Sequence, residues 1–225
     1  MKMLLFDIDG TLLKTKGAGR IALEKVFCEL FGVENAWGNL KPDGRTDPAI
    51  IHEIAEKSIG RRLTRLEYKI VVRLYLEYFR KTIKEVDFEL MPGISDLMPF
   101  LSGKKHLLLG LATGNFEQPS WLKLRRGNLH QFFSFGGFGS DATDRTKLTA
   151  KAISRGRKML PKRSKLENIF VIGDTPHDVA VGKNLGVKTI AVATGSNKKS
   201  ELKRYSPDFL FSDLRDVERF MDVLD

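Results

Sequence analysis

Met3-Leu4-Leu5-Phe6-Asp7-Ile8-Asp9-Gly10-Thr11 is the stretch that decides the fold. Its first four residues form an uninterrupted apolar run. That pattern suits a strand covered on both faces, as in a parallel sheet. Two carboxylates follow at i and i+2, and Gly10 then lets the backbone turn away. In open α/β sheets, ligands bind at the C-terminal ends of the strands. Asp7 and Asp9 are therefore candidates to converge on one metal ion or one substrate group. The plainer reading is a solvated acidic turn.

Similar runs recur along the chain. His106 to Ala112 is the second, Phe132-Phe133-Ser134-Phe135 the third, and Ile169-Phe170-Val171-Ile172 the fourth. Val187 to Ala193 is the fifth, and Asp208-Phe209-Leu210-Phe211 a short sixth. Helical patterns separate them, which predicts an α/β fold with a doubly wound parallel sheet. The interval between the first two runs breaks this rhythm. Ile21, Leu23, Val26, Phe27, Leu30 and Phe31 form one helical stripe, ending near Gly32. Ile50, Ile51, Ile54 and Ala55 form a second, and Leu66 to Ile83 a long third. This is too much helix for one crossover. The expected organisation is a core of residues 1–13 and 91–225, with an inserted α-helical subdomain over 14–90.

An apolar fraction of 42% over 225 residues excludes general disorder and supports a sizeable core. No apolar run is long enough to span a bilayer. The chain reaches Asp7 and Asp9 before a secretory apolar region could develop, so no leader is expected. A single cysteine, Cys28, excludes an internal disulfide, and its helical apolar setting predicts burial. A cytoplasmic protein is the expectation. The net charge is +10, and residues 123–165, with 12 basic and 2 acidic groups, carry an excess of that same size. A helix starting near Lys147 would run away from the active edge of the sheet. Most of this charge is thus expected to coat a surface and complement a helix dipole. Only Arg145 and Lys147 are expected near the chemistry.

Gly173-Asp174-Thr175-Pro176-His177-Asp178 follows the fourth run, placing a second acidic cluster on the same sheet edge. Four carboxylates gathered there need a cation, and oxygen-rich ligation selects Mg²⁺ over soft metals. His177 has no Cys or His partner nearby and reads as a helix start. Thr113-Gly114-Asn115 ends the second run. A hydroxyl and free backbone N–H groups before a helix make a phosphate cradle, although an ordinary strand–turn–helix junction reads the same way.

Asp7-Ile8-Asp9-Gly10-Thr11, Thr113, a basic residue near position 145 and the Gly173–Asp178 cluster together resemble the four ordered motifs of the haloacid-dehalogenase superfamily. The resemblance covers nearly the whole chain. The helical insert resembles the cap of the branch containing phosphoglycolate phosphatases and β-phosphoglucomutases. It implies a Rossmann-like core and a Mg²⁺-dependent phosphatase. Asp7 would be the nucleophile and Asp9 the general acid–base. The Asp7 carboxylate, the Asp9 carbonyl and Asp174 would hold Mg²⁺, with Asp178 an added ligand or an anchor behind it. Thr113, Gly114 and Asn115 would bind phosphoryl oxygens.

The third motif departs from the family pattern. Where a lysine is usual, the chain reads Ser140-Asp141-Ala142-Thr143-Asp144-Arg145-Thr146-Lys147. Arg145 is favoured for the phosphoryl contact, and Lys147 is second. In the cap, Lys41-Pro42-Asp43-Gly44-Arg45-Thr46-Asp47 resembles the loop that touches the far end of the substrate. Arg45 is thus a candidate anion contact, followed by Arg20 of Gly17-Ala18-Gly19-Arg20. The expected substrate is a small phosphorylated metabolite, an organic acid or sugar phosphate. A phosphomutase is the alternative, weakened because Ala18-Gly19-Arg20 stands where that activity's histidine would. A nucleic-acid end phosphatase is disfavoured, as is a non-enzymatic binding protein. Membrane partners are not expected, and the chain is expected to be a monomer or homodimer.

Overall fold

The computed structural model describes residues 1–224. The first apolar run forms β1 (Lys2–Phe6), followed by β2 (Leu13–Thr15). Three helices come next, α1 (Ala18–Phe31), α2 (Asp47–Ser58) and α3 (Arg65–Glu85), and then β3 (Phe88–Leu90). The chain continues through α4 (Ile94–Ser102), β4 (Leu107–Ala112), α5 (Glu117–Arg126), a 3₁₀ turn (His130–Phe132), β5 (Gly136–Gly137) and α6 (Arg145–Met159). It ends with β6 (Asn168–Gly173), α7 (Pro176–Leu185), β7 (Lys188–Val192), α8 (Lys199–Lys203), β8 (Phe209–Phe211) and α9 (Val217–Asp222).

Six strands form one parallel sheet in the order β5-β4-β1-β6-β7-β8. Residues alternate along β1. Leu4 and Phe6 enter the larger core with Ile94, Leu97 and Phe220, while Met3 and Leu5 pack with Ala152 and Ile153 on the other face. That two-sided burial explains why the run is apolar throughout. The strand order reverses at β1, with β4 on one side and β6 on the other. Such a switch point opens a crevice at the strand C-termini, where Asp7 and Asp174 emerge.

The three helices α1 to α3 share their own apolar cluster. Val26 and Phe27 meet Ile51, Val71, Tyr75 and Phe79, and Phe116 joins from the far side. Gly32 ends α1 in the left-handed conformation, at φ 65°. A reciprocal Thr64–Glu67 capping box starts α3. Antiparallel β2 and β3 form the two-stranded connection between these helices and the sheet.

Three expectations need correction. Phe132 to Phe135 is not a strand. A 3₁₀ turn ends at Phe132, an irregular stretch leads on to β5, and Phe133 and Phe135 are buried as core plugs. Cys28 is exposed, one position past the buried face of α1. Lys147 sits in the first turn of α6 with its side chain in solvent. Its backbone N–H donates to the Asp144 cap at 2.8 Å.

Candidate active site

Asp7 is the first residue beyond β1 and is buried. Its Oδ1 accepts from the Ile8 N–H at 2.8 Å. Gly10 then turns the chain at φ 81°, and a Cβ there would stand 2.5 Å from an oxygen of Asp174. Only glycine permits this approach. Asp174 accepts from the Thr11 hydroxyl at 3.1 Å, tying the two acidic strand ends together.

Carboxylate oxygens of Asp7, Asp174 and Asp178 lie within 4.8 Å of one another, all buried. Burial, reinforced by the Asp178 and Asp7 charges, pushes the Asp174 carboxyl up to about 8. Asp7 is raised to about 6 by burial, with Arg145 opposing and Asp178 and Asp9 adding. The Arg145 guanidinium pairs with Asp178 and lies 3.3 Å from Asp7 Oδ2. The other Asp178 oxygen accepts from the Thr175 N–H and hydroxyl, closing the first turn of α7. Asp178 thus joins a helix start to an arginine. Among the described residues, Asp174 has no ion-pair partner. One arginine against three buried carboxyl groups leaves a hard-oxygen site short of positive charge, a donor set that fits a divalent cation such as Mg²⁺.

Asp9 lies in a different environment. Its side chain is 43% exposed and faces a chamber of about 400 Å³ between the sheet edge and the helical layer. Lys123 Nζ is 2.6 Å from Asp9 Oδ2 and 2.7 Å from Asn115 Oδ1. The Asn115 amide donates to Asp9 at 2.7 Å and to the Thr113 hydroxyl at 2.9 Å. This network ties Asp9 to the loop after β4. Sequence reasoning missed Lys123, counting it among the surface charges of residues 123–165. It lies on the buried face of α5 with Ser120 and Leu124. The 4-3-4 spacing of Phe116, Ser120, Lys123 and Gly127 was the available signal.

Elsewhere in that segment the surface reading describes the structure. Lys162, Arg163 and Lys165 are exposed beyond the far end of α6. Arg155 pairs with Asp141 and donates to the Gly136 carbonyl at 2.7 Å. Arg126 donates to the Ile83 and Val86 carbonyls at the end of α3.

Arg45 and Arg20, the candidates on the side of the helical layer, line the chamber, and neither cation is free. Arg45 pairs with Glu53, and Arg20 bonds Glu24 at 3.1 Å. The loop carrying Arg45 is strapped to the core. The Asp47 N–H donates to the Gly114 carbonyl at 2.8 Å, and the Asp47 carboxylate accepts from the Phe116 N–H at 2.7 Å. Thr46 donates to the Thr143 carbonyl at 3.0 Å. Asp47, also missed, is raised to about 6 by burial, with Lys123 and the Phe116 N–H opposing. Thr113, Gly114, Asn115 and Arg145 line the chamber together with Asp7, Asp9 and Asp174. Lys147 does not. Arg145 is the basic side chain of this pair that reaches the carboxylates.

The chain has relatives among known proteins. The sequence model of haloacid dehalogenase-like hydrolases matches residues 4–192. The chain is 29% identical over 229 residues to a phosphoglycolate phosphatase of Aquifex aeolicus, covering 99% of this chain and 97% of that protein. It is 25% identical over 222 residues to the pyrophosphatase PpaX of Oceanobacillus iheyensis, with coverage of 96% and 95%. Among solved structures it resembles CbbY from Rhodobacter sphaeroides in complex with phosphate. The TM-score is 0.73 at 20% identity, over 96% of this chain and 95% of that one, a likeness of fold.

Proposed function

Because the chain belongs to the haloacid dehalogenase-like hydrolase family, we propose that it is a Mg²⁺-dependent phosphatase of a small phosphate monoester, working through an aspartyl-phosphate on Asp7. One observation carries this reading. Asp7 and Asp9 leave the same strand end into opposite environments, one buried beside Arg145, the other open to the chamber beside Lys123. Two carboxylates kept in such different surroundings suit two different tasks.

Asp7 attacks phosphorus, forming an acyl–phosphate bond as the ester P–O bond breaks. Asp9 gives its proton to the departing oxygen. It then takes a proton from the water that attacks the phosphoryl group, releasing phosphate and free Asp7. Thr113, with the backbone of Gly114 and Asn115, holds the phosphoryl oxygens, and Arg145 balances their charge. Asp7, the Asp9 carbonyl and Asp174 would hold Mg²⁺, with Asp178 fixing Arg145 behind them; when bound, the ion neutralises repulsion between the nucleophile and the phosphoryl dianion. The helices of residues 14–90 act as the cap that keeps bulk water from the acyl–phosphate.

The relatives named phosphoglycolate phosphatase and pyrophosphatase favour a small anionic substrate. Phosphate release from an aryl phosphate with Mg²⁺ tests the reading. Wild type is expected to turn over and Asp7→Asn to be inactive. Mg²⁺-dependent turnover retained by Asp7→Asn would overturn it.

A further inference from the structure

Tyr75 belongs to the apolar face of α3, and its ring packs at centroid distances of 5.7 Å from Phe79 and 5.9 Å from Phe116. The residue is only 2% exposed. Its hydroxyl nevertheless makes no hydrogen bond to any described residue. A buried phenol ordinarily finds a partner, because an unpaired buried donor is costly. A phenylalanine would fill the same apolar site without that cost.

The hydroxyl is not sealed in. Among the described residues, Ser58 Oγ alone is a side-chain polar atom both closed off and unpaired. Tyr75 Oη therefore opens onto space, and the space that Tyr75 lines is the chamber holding Asp7 and Asp9. Gly19 lines the same space and leaves the hydroxyl uncovered; a Cβ there would stand 3.4 Å from it. Burial, with the charges of Asp47 and Asp9, holds the phenol well above its ordinary pKa. It stays protonated and available as a donor.

Its position fixes what it can meet. The phosphoryl group belongs at the Asp7, Thr113 and Arg145 end of the chamber. The leaving group must then extend past Asp9, which protonates it, toward the helical layer. Phe79, one turn beyond Tyr75, stands 5.9 Å from the Lys123 ammonium that bonds Asp9. The Tyr75–Phe79 face of α3 is thus on the leaving-group side.

We infer that Tyr75 is a specificity-determining residue, whose hydroxyl donates a hydrogen bond to an acceptor oxygen on the leaving group. It selects phosphate esters or anhydrides whose leaving group carries such an oxygen, a carboxylate or a second phosphate. This rests on the phosphatase reading of Asp7 and Asp9.

The test compares kcat/KM for 2-phosphoglycolate, pyrophosphate and ethyl phosphate in wild type and Tyr75→Phe. Ethyl phosphate replaces the carboxylate of 2-phosphoglycolate with a methyl group. Wild type is expected to prefer one acceptor-bearing substrate over ethyl phosphate by at least about tenfold. Whichever is preferred distinguishes carboxylate from phosphate. Tyr75→Phe is expected to lose about 10- to 100-fold on that substrate and to change by less than about twofold on ethyl phosphate. Ring packing is retained, so the melting temperature should hold. A preference that survives Tyr75→Phe, or an equal loss on ethyl phosphate, would overturn the inference, as would a wild type with no preference. Failure to hydrolyse any ester, aryl phosphate included, would instead remove the phosphatase reading and this inference with it.

Discussion

Lys123 and Asp9 form an ion pair whose cation is sealed and whose anion faces the chamber, the side chains being 7% and 43% exposed. The pair joins α5 to the loop after β1. With Asn115 it forms a closed hydrogen-bonded ring, so the proposed proton donor is fixed relative to the Thr113 loop that would hold the phosphoryl group.

Lys123→Met should release Asp9 from that position. The loss should depend on the leaving group. An alkyl phosphate, whose departing oxygen needs Asp9's proton, should lose about 10- to 100-fold in kcat. An aryl phosphate, with its better leaving group, should lose several-fold less. Asn115→Ala cuts the other tether and should show the same bias, less than additively with Lys123→Met. Kinetics on the two ester classes check this, and equal losses on both would refute a positioning role.

Arg145 and Lys147 lie two positions apart in one helix turn, and the structure separates them. Arg145 reaches Asp7 and Asp178, while Lys147 points to solvent. Arg145→Met should cost about 10²- to 10³-fold in kcat, the scale of losing one preorganised charge contact. Arg145→Lys should recover part of that, since a point charge replaces a fork. Lys147→Ala should leave turnover within about twofold, because surface changes away from such a site are nearly neutral. Steady-state rates suffice, and a large Lys147→Ala effect would reverse the assignment.

Strand ends were legible in the sequence because burial on both faces demands an apolar run, and the acidic residues interrupt that run abruptly. The sequence alone therefore puts Asp7, Asp9 and Asp174 on one sheet edge. The strand at Gly136–Gly137 could not. It has no side chains to make a pattern, and a Cβ on Gly137 would collide with the Leu148 carbonyl of α6. The phenylalanines before it supply the hydrophobicity that a strand would have shown. Lys123 was hidden for another reason. A charge count over a segment has no direction, whereas a helix sends its members to opposite sides. Asp47 was read only as part of a polar loop, since its contacts reach Gly114 and Phe116, remote in sequence.

Asp174 has no ion-pair partner among the described residues and is pushed up to about 8 by burial first and then by Asp178 and Asp7. A divalent cation should relieve that cost and stabilise the fold. At about 100 times its dissociation constant, Mg²⁺ should add about 2.7 kcal/mol. For a domain of this size that is a rise of about 5–10 °C in melting temperature. Asp174→Asn should lose most of the increment without loss of the fold. Melting curves with and without Mg²⁺ decide it, and a wild type indifferent to Mg²⁺ would contradict the fit.

Asp47 makes the strap between the Arg45 loop and the core sensitive to pH. Its carboxyl is raised from 3.8 to about 6, chiefly by burial, against the pull of Lys123 and the Phe116 N–H. Between those two values the folded chain holds a proton that the unfolded chain has released. Stability from this group is therefore complete below about pH 4 and is lost as pH rises through about 6. Asp47→Asn does not titrate and keeps an oxygen for the Phe116 N–H. Relative to wild type, the variant should gain about 2 kcal/mol between pH 4 and pH 7. Asp7 and Asp174, also raised, titrate in both proteins and cancel in the difference. Urea unfolding at the two pH values measures it. A difference that stays constant, or that shrinks as pH rises, would show that Asp47 does not carry its charge at a cost in the fold.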